Sequence, residues 1–154
     1  MTRFYGIDEA NEALPDVERI LLDLRDQRAE LIRLRDAVLQ ASGTDRPGSA
    51  SRSVPDEDDA PPDGSPGLRD PEAAATRLMR LRMQGLIDQM QAGVTRLVER
   101  DVTLREIESG LIDFPALASG RPIWLCWRLG EGDIEWWHEH DEGFPGRRRL
   151  AELT

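Results

Sequence analysis

Residues 134–148, IEWWHEHDEGFPGRR, hold the densest group of side chains that can do chemistry. Both histidines of the chain, His138 and His140, lie here two positions apart. On a β-strand this spacing points both imidazoles to one face, where they can chelate a divalent metal ion with Asp141 or Asp113 as a third ligand. The alternative is a pair of strand-end histidines that form hydrogen bonds and bind no metal. We favour it, because no second group of ligands occurs elsewhere in the sequence.

The same region also suits a small anion. Asp113 follows an apolar pair and precedes Phe-Pro, so a strand is expected to end there, and Arg147 follows the Gly-Phe-Pro-Gly turn. Asp113, His138 and Arg147 are predicted to converge at one end of a sheet, where a carboxylate orients the imidazole and a guanidinium holds an anion. Asp141 completes this candidate ligand-binding set. The alternative, again favoured, is a structural polar network that ties the tail to the sheet.

Cys126 is the one cysteine, so the chain cannot form an internal disulfide. With His138 it would make a nucleophilic dyad. The strand register predicted from a Glu131-Gly132 turn places the two residues on opposite faces of a hairpin. We therefore interpret Cys126 as a small, buried, apolar side chain.

From about residue 102 the apolar pattern changes to that of strands separated by Gly and Pro. Glu131-Gly132 suits a two-residue hairpin turn, and this turn would place Cys126 opposite Trp137 and Leu125 opposite His138. One face is then predicted to cover the helices with large apolar side chains, namely Ile123, Leu125, Trp127, Leu129, Ile134 and Trp136. Trp137 would lie on the other face.

Two long helical patterns precede the strands. The first, residues 8–41, repeats apolar side chains at spacings of three and four, as in a coiled coil. Asp8 is expected to cap a short first turn, and Pro15 to begin the main helix. The second pattern covers residues 71–99 and contains glycines that let another helix approach closely. An antiparallel helical hairpin is predicted.

Residues 42–70 connect the two helical patterns. They consist mostly of Ser, Gly, Pro and Asp, with Val54 and Leu68 as the only large aliphatic side chains. Such a segment cannot bury enough apolar surface to offset the entropy lost on ordering. It is predicted to be a disordered acidic linker.

The composition excludes several classes of function. A net charge of -10 and a pI of about 4.7 argue against a nucleic-acid-binding protein, which needs a basic face. They argue equally against binding to an anionic membrane surface. No apolar run reaches the length of a membrane span, and the N-terminus lacks the apolar core of a signal peptide. A cytoplasmic location is the simplest interpretation.

Two segments resemble a bacterial family catalogued as domain of unknown function 2203. They are residues 4–25, FYGIDEANEALPDVERILLDLR, and residues 110–147, GLIDFPALASGRPIWLCWRLGEGDIEWWHEHDEGFPGR. The positions that fall on the C-terminal motif are Asp113, Pro115, Trp127, Gly130, Glu131, Trp137, His138, Gly143, Phe144, Gly146 and Arg147. His140 departs from the motif, which has an aliphatic residue there. The resemblance implies a small bacterial protein with a helical hairpin and a β-rich tail, and it carries no established activity.

We therefore predict an α+β fold, a long antiparallel helical hairpin packed on a small antiparallel β-meander, with residues 1–154 as one domain and the β-rich tail over 102–150. The favoured function is a protein-interaction or self-associating module, because the heptad pattern and exposed Trp124 and Trp137 suit an interface. The alternative is a small metal- or anion-binding domain, or an enzyme, centred on His138. No cofactor motif occurs, and a divalent metal ion is the one candidate.

Overall fold

A computed structural model of the chain describes residues 3–43 and 71–153. Two α-helices are followed by five strands and two short 3-10 helices, Phe144–Gly146 and Leu150–Glu152. The larger elements are α1 (Ile7–Gly43), α2 (Pro71–Glu99), β1 (Thr103–Glu106), β2 (Leu111–Ala118), β3 (Arg121–Arg128), β4 (Trp136–Glu139) and β5 (Arg148–Arg149). The predicted α+β class is confirmed. The predicted linker lies outside the described residues, apart from its first two positions, which belong to α1.

The five strands form one antiparallel sheet in the order of the sequence, β1-β2-β3-β4-β5. β2 and β3 are the longest pair, and Ser119-Gly120 joins them in a two-residue turn between Ala118 and Arg121. Both turn residues have positive φ, 52° and 78°. The type I′ turn requires this conformation, because its twist matches that of the flanking strands.

The chain divides into two compact units, Met1–Ala29 with Asp88–Thr154, and Glu30–Ile87. In the first unit, one face of the sheet packs against the N-terminal half of α1 and the end of α2. The buried apolar side chains of this core include Ala10, Leu14, Val17, Leu21 and Leu24 from α1, Leu97 from α2, and Ile112, Phe114, Ile123, Leu125, Trp127 and Trp137 from the sheet. In the second unit, Arg82 Nε and a terminal nitrogen donate to the two carboxylate oxygens of Glu30 (2.9 and 3.1 Å). The prediction of a single domain stays a prediction.

Pro15 lies inside α1 and does not begin a helix. The sequence-based prediction of a short first turn followed by a new helix is therefore wrong. Pro15 has no N–H to donate to the carbonyl of Asn11, which costs roughly 3 kcal/mol in a helix interior. The helix continues because Ala10, Leu14 and Val17 are all buried in the same core. Packing of one apolar face, rather than local propensity, supplies most helical stability in proteins.

β2 runs through Asp113 and Pro115 to Ala118, so the prediction that a strand ends at Asp113 is also wrong. Proline is tolerated in a strand only where its missing N–H is not needed by a neighbouring strand. β1 pairs with β2 only as far as Thr103 opposite Asp113. Beyond that point Tyr5 N–H donates to the Pro115 carbonyl (2.7 Å). Asp113 therefore lies within the body of the sheet and not at its end.

The register between β3 and β4 differs by one residue from the predicted one. Leu125 lies opposite Trp137, and Cys126 lies opposite Trp136; the prediction had placed His138 opposite Leu125. A shift of one residue exchanges the two faces of a strand. Trp137 is consequently buried in the core at 4% exposure, and Trp136 lies on the other face. The predicted inner face of β3 is confirmed.

The connection between β3 and β4 explains the shift, because it is wider than a two-residue turn. Three hydrogen bonds hold it: Trp127 Nε1–H to the Gly132 carbonyl (2.8 Å), Arg128 N–H to Glu131 Oε1 (2.7 Å), and Ile134 N–H to Asn11 Oδ1 (2.8 Å). The third comes from α1, and Ile134 is buried in the core. A tertiary contact therefore competes with the local preference of Glu-Gly for a tight turn.

Gly93 permits the close approach of α2 to α1. A Cβ at Gly93 would lie 2.9 Å from Leu24 Cδ2, whereas a Cβ at Gly85 would meet nothing within 4 Å. Leu24 is fully buried, and side chains in a close-packed core have little freedom to withdraw. We expect Gly93→Ala to lower the free energy of unfolding by about 1–2 kcal/mol, because overpacking outweighs the gain in helix propensity.

Gly85→Ala is the matched control and should raise the free energy of unfolding by roughly 0.5–1 kcal/mol. Urea unfolding at equilibrium measures both changes. A stabilising effect of Gly93→Ala would show that the two helices are farther apart than described.

Candidate functional site

Asp113 and His138 are the two buried charged or polar side chains among the described residues, with exposures of 1% and 2%. Asp113 stands between two core residues of β2, and His138 follows the core residue Trp137 on β4. Because side chains alternate along a strand, both point away from the apolar core, to the outer face of the sheet. Cys126 pairs with Asp113 across the β2–β3 ladder and shares that face.

These three side chains converge on one another. His138 Nε2 lies 3.0 Å from both Oδ1 and Oδ2 of Asp113, and the Cys126 side chain lies beside the same carboxylate. One potential ligand atom from each residue lies within 4.8 Å of the other two. The prediction that Cys126 and His138 lie on opposite faces is therefore wrong. The error follows directly from the one-residue shift in register.

The contact that His138 Nδ1 makes shows which nitrogen of the imidazole carries a hydrogen. Nδ1 lies 2.9 Å from the backbone carbonyl of Glu139. A carbonyl only accepts hydrogen bonds, so Nδ1 carries a hydrogen. Nε2 is then the nitrogen that faces Asp113 and binds either a proton or a metal ion. Metal-binding histidines commonly have this arrangement, in which a backbone carbonyl holds the far nitrogen.

Cys126 is not an activated nucleophile in these surroundings. Burial, followed by the nearby charge of Asp113, raises the pKa of the thiol to about 12. Reactive cysteines need the opposite, a depressed pKa. Cys126 and His138 both point at the same carboxylate, whereas a catalytic dyad requires the imidazole to take the thiol proton. The interpretation of Cys126 as buried is confirmed.

Arg105 is the fourth member of the cluster, and its Nε–H donates to Asp113 Oδ2 at 2.8 Å. It stands where the β1–β2 pairing is irregular, between Leu104 opposite Ile112 and Glu106 opposite Leu111. A bulge of this kind redirects a side chain out of the regular alternation. Arg105 could not be predicted as a member of the site, because no local pattern in the sequence marks a bulge.

A cavity of about 330 Å³ opens beside the cluster on the outer face. Its wall is formed by Arg105, Leu111, Asp113, Cys126, His138, His140, Asp141, Glu142, Gly143 and Phe144. The structure thus brings Asp113, His138, His140 and Asp141 to one cavity. The His140 ring stacks on Trp124 with 4.4 Å between centroids. His140 is not among the three residues whose ligand atoms converge.

Arg147 does not line this cavity. One of its terminal nitrogens donates to both carboxylate oxygens of Glu131, at 2.7 and 3.0 Å. Its guanidinium lies between the rings of Trp136 (4.8 Å) and Phe144 (4.6 Å). Arg147 therefore links the segment after β4 to the β3–β4 connection, and it stabilises the surroundings of the cavity.

A model of the family of uncharacterized conserved proteins DUF2203 matches residues 3–150. The chain belongs to this family. The resemblance seen in the two terminal segments is thereby confirmed, and the matched range contains every residue of the cavity in this DUF2203 protein. No curated protein and no solved structure matches the chain. Among the described residues, no helix is long and apolar enough to cross a membrane.

Proposed function

We propose that this DUF2203 protein binds one divalent transition-metal ion, of the zinc type, through Asp113, Cys126 and His138. The observation that carries the proposal is the convergence of a carboxylate, a thiol and an imidazole within 4.8 Å, all buried. Zinc binds these three groups at about 2.0–2.3 Å, so ligand atoms around one ion lie roughly 3–4 Å apart. The observed separations of up to 4.8 Å are wider, so metal binding requires the three side chains to move closer together.

The surroundings of the three ligands also suit a metal. The Glu139 carbonyl holds His138 Nδ1 and leaves Nε2 for the ion, and Arg105 holds one oxygen of Asp113. Such partners orient the ligands and contribute substantially to metal affinity. They also distinguish this cluster from the exposed acidic groups that are common on any acidic protein.

Protons and the metal ion compete for the same atoms. Without a metal ion the raised pKa keeps a proton on the Cys126 thiol, and His138 Nε2 makes its hydrogen bond to Asp113 where the ion would bind. A metal ion binds the thiolate, the neutral imidazole and the carboxylate, so its binding releases protons. Three protein ligands leave a fourth position open, as in catalytic zinc sites, and the cavity provides room for it.

The experiment is a zinc titration of the full-length protein after removal of metal with a chelator. We expect one ion per chain, with proton release that varies with buffer in calorimetry. Asp113→Asn, Cys126→Ser and His138→Gln should each weaken binding by more than about 100-fold, since even changes outside the ligand set cost roughly 10–100-fold. Thermal stabilisation by zinc should be lost in parallel.

His140→Ala is the matched control, because it removes an imidazole from the same cavity without touching the three ligands. Its zinc affinity should stay close to that of the unchanged protein. The opposite pattern, binding lost in His140→Ala and kept in Cys126→Ser, would replace the proposed set by a His138–His140 pair. A wild-type protein that binds no zinc would overturn the proposal.

A second candidate function is self-association or binding of a protein partner through the helices. Trp137 does not support it, because this side chain is buried, and Trp124 is partly covered by His140. Support comes instead from Leu39, Leu78 and Leu81, which lie on the two helices of the second compact unit and are 60–67% exposed. Light scattering tests this candidate by giving the mass of the protein in solution.

A further inference from the structure

Arg105 is the arginine that lines the cavity beside the proposed metal ligands. Two contacts hold its guanidinium, the hydrogen bond from Nε to Asp113 and the Trp124 ring 5.0 Å from Cζ. Within the described part of the chain, its two terminal nitrogens have no hydrogen-bond partner. The side chain is 42% exposed. Arg105 therefore offers a fixed, cationic pair of donors next to the metal site.

We propose that the cavity binds a small monocarboxylate, with one oxygen on the open position of the metal and the other on the terminal nitrogens of Arg105. The proposal rests on the metal site proposed above. A guanidinium is planar, and its paired N–H groups match the two oxygens of a carboxylate. The contact of Arg105 with the Trp124 ring and its hydrogen bond to Asp113 orient the guanidinium before the ligand binds. This lowers the entropy cost of binding.

The walls of the cavity define the class of ligand further. Its volume of about 330 Å³ is at the small end of the ~300–1,000 Å³ range for small-molecule sites. Leu111 and Phe144 provide apolar surface for a short organic group. Asp141 and Glu142 also line the cavity and repel negative charge, so a singly charged carboxylate is favoured over phosphate, which carries a second charge near neutral pH.

The test uses the full-length protein loaded with Co²⁺, whose visible absorption reports the ligands of the ion. Acetate and, separately, phosphate are titrated at constant ionic strength set with chloride. We expect a saturable spectral change with acetate and weaker binding of phosphate. Arg105→Gln, measured at saturating Co²⁺, should weaken acetate binding by about 10-fold or more, the size of a charge-assisted hydrogen bond.

Arg121→Gln is the matched control. Arg121 lies on the same sheet and pairs with Glu139 at 2.8 Å, but it does not line the cavity, so acetate binding should be unchanged. Arg105→Lys keeps the positive charge but loses the paired N–H groups of the guanidinium. Its acetate affinity should lie between those of Arg105→Gln and the unchanged protein.

The outcomes separate the two proposals. Co²⁺ binding without any effect of acetate would overturn the carboxylate site and leave the metal site intact. Phosphate binding tighter than acetate would overturn the ligand class. An equal acetate affinity in Arg105→Gln would remove Arg105 from the site and overturn the proposed binding mode. Failure to bind Co²⁺ at all would overturn the metal site and the carboxylate site together.

Discussion

Trp137→Ala is expected to lower the free energy of unfolding by about 3–5 kcal/mol, as truncation of a large core aromatic does. The Trp137 side chain is buried in the main core, and its Nε1–H donates to the Arg149 carbonyl at 3.2 Å. The cavity left behind would lie between the sheet and the helices of the first unit. Urea unfolding at equilibrium gives the change.

Trp136→Ala is the neighbouring control and should cost roughly 1–2 kcal/mol. Its ring lies on the outer face and contacts the guanidinium groups of Arg147 and Arg149 at 4.8 and 5.3 Å. Each such contact contributes about 0.5–1 kcal/mol at a partly exposed site. A larger loss of unfolding free energy for Trp136→Ala than for Trp137→Ala would contradict the pairing of Leu125 with Trp137. It would support the register expected from a two-residue turn.

The sequence was sufficient for the helices and for the alternation along β3. Helices expected over residues 8–41 and 71–99 are found at Ile7–Gly43 and Pro71–Glu99, because repeated apolar spacing is a strong signal over such lengths. β3 alternates between core and outer face as predicted, since its apolar residues occur at every second position.

The register of β4 could not be predicted from local sequence. Glu131-Gly132 has the composition of a tight turn, but the side chain of Glu131 caps the Arg128 N–H and binds Arg147. Ile134 is held by Asn11, which is 123 positions away in the sequence. These two long-range contacts thus outweigh the local turn preference. Neither can be predicted from the alternation of apolar residues along a strand.

The one-residue shift in the β3–β4 register determines how much of the candidate site could be predicted from the sequence. Asp113, His138 and Asp141, which the sequence predicts to meet at one end of the sheet, line one cavity. The predicted register places Cys126 and His138 on opposite faces, which separates the thiol from the imidazole. With the faces exchanged, the thiol joins the carboxylate and the imidazole. A metal site with a sulfur ligand then replaces a pair of histidines as the better hypothesis.

The interaction between Asp113 and His138 should be visible in the free energy of unfolding without any metal. In the presence of a chelator, Asp113→Ala is expected to cost about 3–5 kcal/mol, the usual loss when one partner of a buried charged pair is removed. Asp113 accepts hydrogen bonds from His138 and Arg105, so two donors lose their partner at once. His138→Ala should cost less, because Arg105 still donates a hydrogen bond to Asp113.

The variant that carries both Asp113→Ala and His138→Ala completes a double-mutant cycle. Removal of both side chains should cost less than the two single losses added together, by on the order of 1–3 kcal/mol, because the second removal no longer strands a buried partner. Asp141→Asn is the control, since it changes an exposed carboxylate on the wall of the same cavity and should alter stability by less than ~0.5 kcal/mol. Additive losses would show that the carboxylate and the imidazole do not interact.

Repetition of the same measurements with zinc separates structure from binding. Zinc should stabilise the unchanged protein and Asp141→Asn by an amount that rises with zinc concentration, because only the folded state assembles the three ligands. It should leave Asp113→Ala and His138→Ala unchanged. If Asp113→Ala and His138→Ala were both still stabilised to the same extent, neither residue would be a ligand, and the pair would serve only to hold β2 to β4.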